Sequence, residues 1–472
     1  MAKRFMLAGT GSGCGKTTLT CALLAALSSL GKDIISFKCG PDYIDPEFHK
    51  KATGVESRNL DVFLMGEEGV KHGLSVHTRN KEVAILEGVM GIYDGLGNGS
   101  YASSNHVSVL TNTQVILIVN TKGLSVSVCA LIKGFLEFEK NNIHAVILNN
   151  TSEGMYSFYK QMIEERLNIK VVGFMPHIPE AQIESRHLGL LMPDDMAEKI
   201  NILRNYALKF IDIDTLLEIA GKTELFNYKQ DLTHNFGSNR ESGESGEIKI
   251  YAASDEAFSF WYEDNHDLLI SMGAEIKFFS PIHDQALPDD ADGLLLWGGY
   301  PELYGSALEA NTAMKQSLKS AIEKGLPVYA ESGGFMYLQQ SLTDIHGRKY
   351  QMLGVLKGNV TMTKKLQNFG YYEIEAQRNN MLCKIGSKIN AHFFHRYLSD
   401  RQGDCFMALK QSGKSFPCIV SQENIFAGYQ HLHFWGNISF AQNFINACFE
   451  YSKKRCPNEF YNKPVRNRTK KF

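Results

Sequence analysis

Paired cysteines, long apolar runs and an excess of either charge are all missing from this chain. Its nine cysteines, an odd number, include no CxxC pair. That argues against a zinc site or a disulfide framework and for the reduced thiols of a cytosolic protein. No apolar run approaches the roughly 18 residues that a membrane span needs. Met1-Ala2-Lys3-Arg4 leads straight into an apolar stretch with no signal-peptide pattern, so a cytoplasmic location is expected. Lysine and arginine number 49 against 51 acids, a formal net charge of −2. General nucleic-acid binding would show a basic excess. What is present, 44% hydrophobic and 21% charged residues, is ordinary for an enzyme. At 472 residues the chain exceeds what one core serves, and two domains are expected.

The richest stretch is the start, FMLAGTGSGCGKTTLTCALLAAL. Phe5 to Ala8 read as a buried strand, Gly9 to Gly15 as a glycine-rich turn, and Lys16-Thr17-Thr18 as the opening of a helix. Gly9, Thr10, Gly13 and Gly15 let the backbone curl so that N–H groups point inward, and the helix start adds partial positive charge. Lys16 is placed to reach the β/γ-phosphates of ATP and Thr17 to take a place on magnesium. The spacing departs from the usual phosphate loop: where a glycine is expected there is Thr10, and the glycine lies one residue earlier, at Gly9.

Further strands end at chemistry-bearing residues. Ile34 to Lys38 leads into GPDYIDP, with Asp42 and Asp45 on the loop; these carboxylates and Lys38 face the nucleotide or its acceptor, or else form an Asx-turn. Val83 to Leu86 ends at Glu87, an acid suited to holding magnesium, and Asp94 follows in a glycine-bounded loop. TQVILIVN, IHAVILNN and KVVGFMP supply three more strands. Asn149, at the end of the second of these, can read an adenine edge or simply form a turn. His187 falls in the loop ESRHLGL. This alternation predicts a doubly wound parallel sheet over residues 1–226. The polar, Gly/Ser-rich stretch 227–247 reads as a linker.

A second α/β domain is expected over 248–450. Its most informative stretch, LPVYAESGGFMYL, reads as a strand (Val328 to Ala330), a sharp turn and a helix from Phe335. This nucleophile-elbow pattern pushes Ser332 to the tip of the turn and leaves backbone N–H groups for an oxyanion. FAGYQHLHFWGN reads as a strand carrying His431 and His433 on one face by the two-residue period, and either can be the base. The basic end, 451–472, reads as a solvated, frayed tail.

Together these stretches resemble the cobyrinic acid a,c-diamide synthase family. The likeness rests on GTGSGCGKTT, FKCGPDYIDPEFH, SRNLDVFLM, LEGVMGIYDG, RHLGL, GGYPELY, ANTAMKQSL, GLPVYAESGGFMYL and HLHF, and leaves uncovered only the linker and tail. The phosphate-loop spacing is also similar to dethiobiotin synthetase. The resemblance implies two doubly wound α/β domains: a phosphate-loop, dethiobiotin-synthetase-like amidoligase domain, then a flavodoxin-like class I glutamine amidotransferase domain. It implies ATP and Mg²⁺ as cofactors, cobyrinic acid or a related tetrapyrrole as substrate, glutamine or ammonia as nitrogen source, and no nucleic-acid or membrane partner; a homodimer stays open. By position, Lys16 and Thr17 serve ATP and magnesium, Lys38 is a second phosphate contact, and Glu87 is the magnesium-linked acid. Asp42, Asp45 and Asp94 are linked to intermediate formation and amidation.

Two departures lie on the glutaminase side. The family's elbow reads AECGG and this chain reads AESGG, so Ser332 replaces the nucleophilic cysteine; a hydroxyl attacks an amide far less readily than a thiol. The family's GHEFHYS appears as AHFFHRY around His392 and His395, with Phe393 in place of its glutamate. The expectation is ATP-dependent amidation with impaired glutaminase activity. Two alternatives stand beside it: a nickel-sirohydrochlorin a,c-diamide synthase, and a partition-type ATPase switch.

Overall fold

Six short apolar runs and one polar one, almost wholly buried, assemble into one sheet in the first half of the chain. They are β1 (Lys3–Gly9), β2 (Ile34–Cys39), β3 (Ser57–Leu60), β4 (Val83–Glu87), β5 (Gln114–Asn120), β6 (Ile143–Asn149) and β7 (Lys170–Met175). All neighbours pair in parallel, in the order β3-β2-β4-β1-β5-β6-β7. Strands buried on both faces suit a parallel sheet whose connections cross over it. Helix α1 (Lys16–Ser29) follows β1, and α2 (Ile44–Thr53) follows β2. The sequence expectation omits β3, whose SRNL carries too few apolar residues to read as a strand.

The structure is a computed structural model and describes residues 2–183, 195–224, 226 and 248–455. The expectations for the linker at 227–247, for His187 and for the tail beyond 455 lie outside the described residues. The chain divides into two units, Met1–Gln230 and Asp231–Phe472.

The second unit holds a six-stranded sheet. Its order is Ala274–Phe279, Ile248–Ala253, Gly293–Leu296, Val328–Glu331, Ile425–Gly428 and Val420–Ser421. The first five are parallel and the last antiparallel. Beside it lies a second, mixed sheet built on the long antiparallel pair Asn359–Ala376 and Lys388–Ser399, which the sequence reading does not contain. The last helix runs Ile438–Arg455, correcting the expected start of a frayed tail at 451. Arg455 is tied to Asp292 at 2.8 Å and to the carbonyls of Asp289 and Asp290. No described helix is long and apolar enough to cross a membrane. The eight described cysteines are all buried and free of disulfides.

Candidate active site

Strand register creates the first centre. Lys38 and Glu87 are paired neighbours at the carboxyl ends of β2 and β4, and Glu87 is also paired with Leu7 of β1, just before the phosphate loop. Two opposite charges thus enter an otherwise apolar layer side by side. Lys38 Nζ lies 2.7 Å from Glu87 Oε1 and 2.5 Å from Asp45 Oδ2. His49 of α2, fully buried, places Nε2 2.8 Å from Glu87 Oε2. Thr17, in the first turn of α1, donates its hydroxyl to Glu87 Oε1 at 2.8 Å. Burial alone would raise the Glu87 pKa, but Lys38 and His49 outweigh it and hold the carboxyl below its usual range. Burial likewise acts to lower the Lys38 pKa, and Glu87 and Asp45 override it upward.

The phosphate loop is shaped by side chains packed against its glycines. A Cβ on Gly9 would sit 2.1 Å from Cys14 Sγ, so the glycine that stands one residue early makes room for Cys14. Gly15 has φ 97° and caps α1. A Cβ there would sit 2.1 Å from Asn149 Nδ2, which donates to Cys14 O at 2.8 Å. Asn149 therefore braces the loop with its amide N–H, where the sequence leaves open an adenine contact or a turn. Lys16 folds back over the loop, donating to Gly11 O at 3.0 Å and Met90 O at 2.5 Å; burial lowers its pKa. These carbonyls hold the ammonium at the loop's mouth.

Asp42 accepts from the Ile44 and Asp45 N–H groups at 2.9 and 3.3 Å. It is thus an Asx-turn at the start of α2 as well as a neighbour of the Lys38 cluster. Burial, then the Asp45 charge, pushes its carboxyl up to about 6. Asp94 is exposed. Its Oδ2 accepts from Gly91 N at 2.7 Å, bracing the loop whose Met90 carbonyl receives Lys16. Thr10, Tyr93, Asp94 and Phe135 line one cleft of about 430 Å³. Thr17, Glu87 and Asp45 supply hydroxyl and carboxylate oxygens around the Lys38 ammonium, a hard donor set that fits magnesium.

The second centre sits at the carboxyl ends of three adjacent strands. Ser332, between Val328–Glu331 and the helix Gly333–Leu338, has φ 46° and ψ −106°, backbone strain of the kind elbows store. Its N–H donates to Gly428 O at 2.7 Å. A Cβ on Gly334 would meet Leu296 O at 2.0 Å, so only glycine lets the elbow pack this close. His431 lies in the strand Gln430–Leu432, with Nδ1 3.3 Å from Glu331 Oε2. His433 falls just past that strand with extended backbone, φ −102° and ψ 113°, its ring against Tyr262. Neither ring nitrogen of His433 has a hydrogen-bond partner, and burial pushes its pKa down to about 4.

Comparison with known proteins follows this division. Residues 5–190 match the family model of a CobQ/CobB/MinD/ParA nucleotide binding domain, and residues 249–438 that of a CobB/CobQ-like glutamine amidotransferase domain. Over 446 residues the chain is 40% identical to the cobyrinate a,c-diamide synthase of Clostridium tetani, covering 93% of this chain and 98% of that protein. The protein of the same name from Caldanaerobacter subterraneus is 38% identical, with 96% and 100% covered. That from Thermoplasma volcanium is 35% identical, with 96% and 98% covered. The chain belongs to the cobyrinate a,c-diamide synthase family.

For a cobyrinate a,c-diamide synthase relative, the structure gathers Lys16, Thr17, Lys38, Asp42, Asp45 and Glu87 about one end of the first sheet. It gives Asp94 and Asn149 loop-bracing roles and pairs His431 with Glu331. Phe393 is buried with its ring edge-on to Tyr372 and Phe416. Two residues escape the sequence reading. His49 lies within the quoted FKCGPDYIDPEFH, but only the helical return of α2 brings it to Glu87. Glu331 sits next to Ser332 and reads in sequence as the first residue of the sharp turn, whereas the structure makes it the last residue of the strand.

Proposed function

We propose that this enzyme amidates the a- and c-carboxylates of cobyrinic acid in cobalamin biosynthesis, activating each as an acyl phosphate at the expense of ATP. The observation that carries this is the buried Lys38 bridging Glu87 and Asp45 beside Thr17. A carboxylate and a polyphosphate repel each other, and fixed cations at their meeting point are what phosphoryl transfer requires. Lys16 exchanges the Gly11 and Met90 carbonyls for phosphate oxygens, while Lys38 faces the incoming carboxylate. Magnesium, when bound, is held by Thr17, Glu87 and Asp45 and supplies charge neutralisation on the phosphates. Asp42, with its carboxyl near 6, is ionised at neutral pH and suited to take the proton that the attacking ammonia must lose.

Ammonia is the effective nitrogen source in this reading and glutamine a slow one. Ser332 occupies an intact elbow, but its hydroxyl is a weaker nucleophile toward an amide than a thiolate.

The test uses cobyrinic acid labelled with ¹⁸O in its carboxylates, together with ATP, Mg²⁺ and ammonium. The expected result is the diamide, with one ¹⁸O appearing in inorganic phosphate for each amide formed. Diamide without label in phosphate would remove the acyl phosphate. No diamide at all would remove the substrate assignment.

A further inference from the structure

A hydroxyl or thiol at an elbow is activated by a base, and an imidazole base works only when something fixes its tautomer and direction. The family motif has a glutamate at position 393, and here that position is a core phenylalanine. The structure provides another acid. Glu331 and His431 are each 1% exposed at their side chains, with Oε2 and Nδ1 3.3 Å apart. The second oxygen, Oε1, accepts from Leu432 N at 3.0 Å and from the Tyr329 hydroxyl. The carboxylate is thus clamped from its own strand and from the strand that carries the histidine.

The ring's Cε1 lies against the segment on which the elbow also packs. A Cβ on Gly298 would lie 2.9 Å from His431 Cε1, and a Cβ on Gly333 would lie 3.0 Å from Gly299 N. Imidazole and elbow therefore meet on the same two-glycine segment. Two neighbouring imidazoles, His392 and His395, are neutral near pH 7, while Lys410 acts on His392 and Glu302 on Tyr429, the ring stacked on His395. His392, opposite His431 in strand register, is pushed down to about 3 by burial and by His431. His395 is pushed down to about 4, mainly by burial.

The geometry points to Glu331 as the positioning carboxylate of the donor site, holding His431 in the Nδ1–H tautomer with Nε2 directed to residue 332. This rests on the reading of position 332 as the nucleophile position. Acid and nucleophile are then adjacent in sequence, delivered by one strand end. In the step they serve, the residue 332 proton passes to Nε2 as its heavy atom bonds the glutamine carbonyl carbon. The same proton then goes to the departing nitrogen as the C–N bond breaks and ammonia leaves. Water repeats the cycle, forming glutamate and restoring residue 332.

The test needs no glutamine turnover. Full-length Ser332→Cys protein is alkylated with iodoacetamide across pH 4–10, with the parent chain, whose described thiols are all buried, as background. The expected profile stays reactive well below the ordinary thiol range of about 8.5, as a thiolate–imidazolium pair does. Adding Glu331→Gln keeps an oxygen for Leu432 and Tyr329 but removes the charge; alkylation at pH 7 is expected to slow by at least ~10-fold, with the midpoint moving toward 8.5. Glu331→Asp, which keeps the charge, is expected to lie between. Thermal melting shows which variants fold, and the aspartate variant carries the test if the glutamine variant does not. Superimposable profiles for the folded variants would reduce Glu331 to a strand tether and overturn the inference. An ordinary thiol profile in Ser332→Cys itself would instead overturn the reading of position 332.

Discussion

Lys38 has only 4% of its surface exposed and two carboxylates within 2.7 Å. Removing its charge strands both acids in a low-dielectric layer, a change that costs about 3–5 kcal/mol for a broken buried pair. Lys38→Met is therefore expected to lower the first melting transition and to reduce ATP-dependent amidation by more than ~10²-fold, the order set by lost electrostatic stabilisation; calorimetry and product assay check the two halves. The pH dependence has opposite signs at two neighbouring acids. The Glu87 pKa is held below its ordinary value of 4.5, so its contribution to stability is complete above that pH and fades as pH falls through it. The stability gap between the parent and Glu87→Gln should accordingly shrink below about pH 4.5 in denaturant titrations. The Asp42 pKa is raised to about 6: the folded state binds this proton more tightly, so the group's contribution to stability declines as pH rises from about 4 to 6. If the ionised carboxylate accepts a proton in amidation, kcat falls below pH 6, and Asp42→Asn removes that acid limb along with most of the rate.

At the scale of elements, the phosphate loop and the elbow are two strand–turn–helix units whose tips demand glycine. Gly15→Ala would combine a φ of 97° with a Cβ 2.1 Å from Asn149 Nδ2. It is expected to abolish ATP-analogue binding by calorimetry and to destabilise the first unit by about 1–3 kcal/mol. Asn149→Ala loses only the bond to Cys14 O and should cost about 1 kcal/mol, with weakened but measurable binding. Both turns are legible in sequence because GKTT and ESGG each follow a short β-rich run. β3 is not, since Ser57-Arg58-Asn59-Leu60 pairs through backbone N–H and C=O groups that no side-chain pattern reports. The long pair Asn359–Ala376 and Lys388–Ser399 is missed for a related reason: register shifts between Met362 and Gly370 break the two-residue alternation that would announce it.

At the scale of the whole molecule, each half of the chain matches one domain family, and how far the sequence foretells each candidate site differs. Lys16, Thr17, Lys38 and Glu87 lie at strand ends or a helix start, where local pattern locates them. His49 and Glu331 act through partners 38 and 100 positions away, Glu87 and His431, and only tertiary pairing reveals them. Ser332 is legible as an elbow residue, and the structure adds the carboxylate-held histidine that sequence alone leaves ambiguous between 431 and 433. In the proposed reading, a synthetase unit that brings Lys38, Asp45 and Glu87 together, joined to a donor unit with serine at position 332, should work on free ammonia. The most direct measurement is ATP-dependent amidation of cobyrinic acid with ammonium and with glutamine, run side by side for the parent chain and Ser332→Cys. The account predicts diamide from ammonium in both, glutamine use at least ~10-fold slower than ammonium use in the parent, and restored glutamine use in the cysteine variant. Equal rates with the two donors in the parent chain would contradict it and make Ser332 a competent nucleophile.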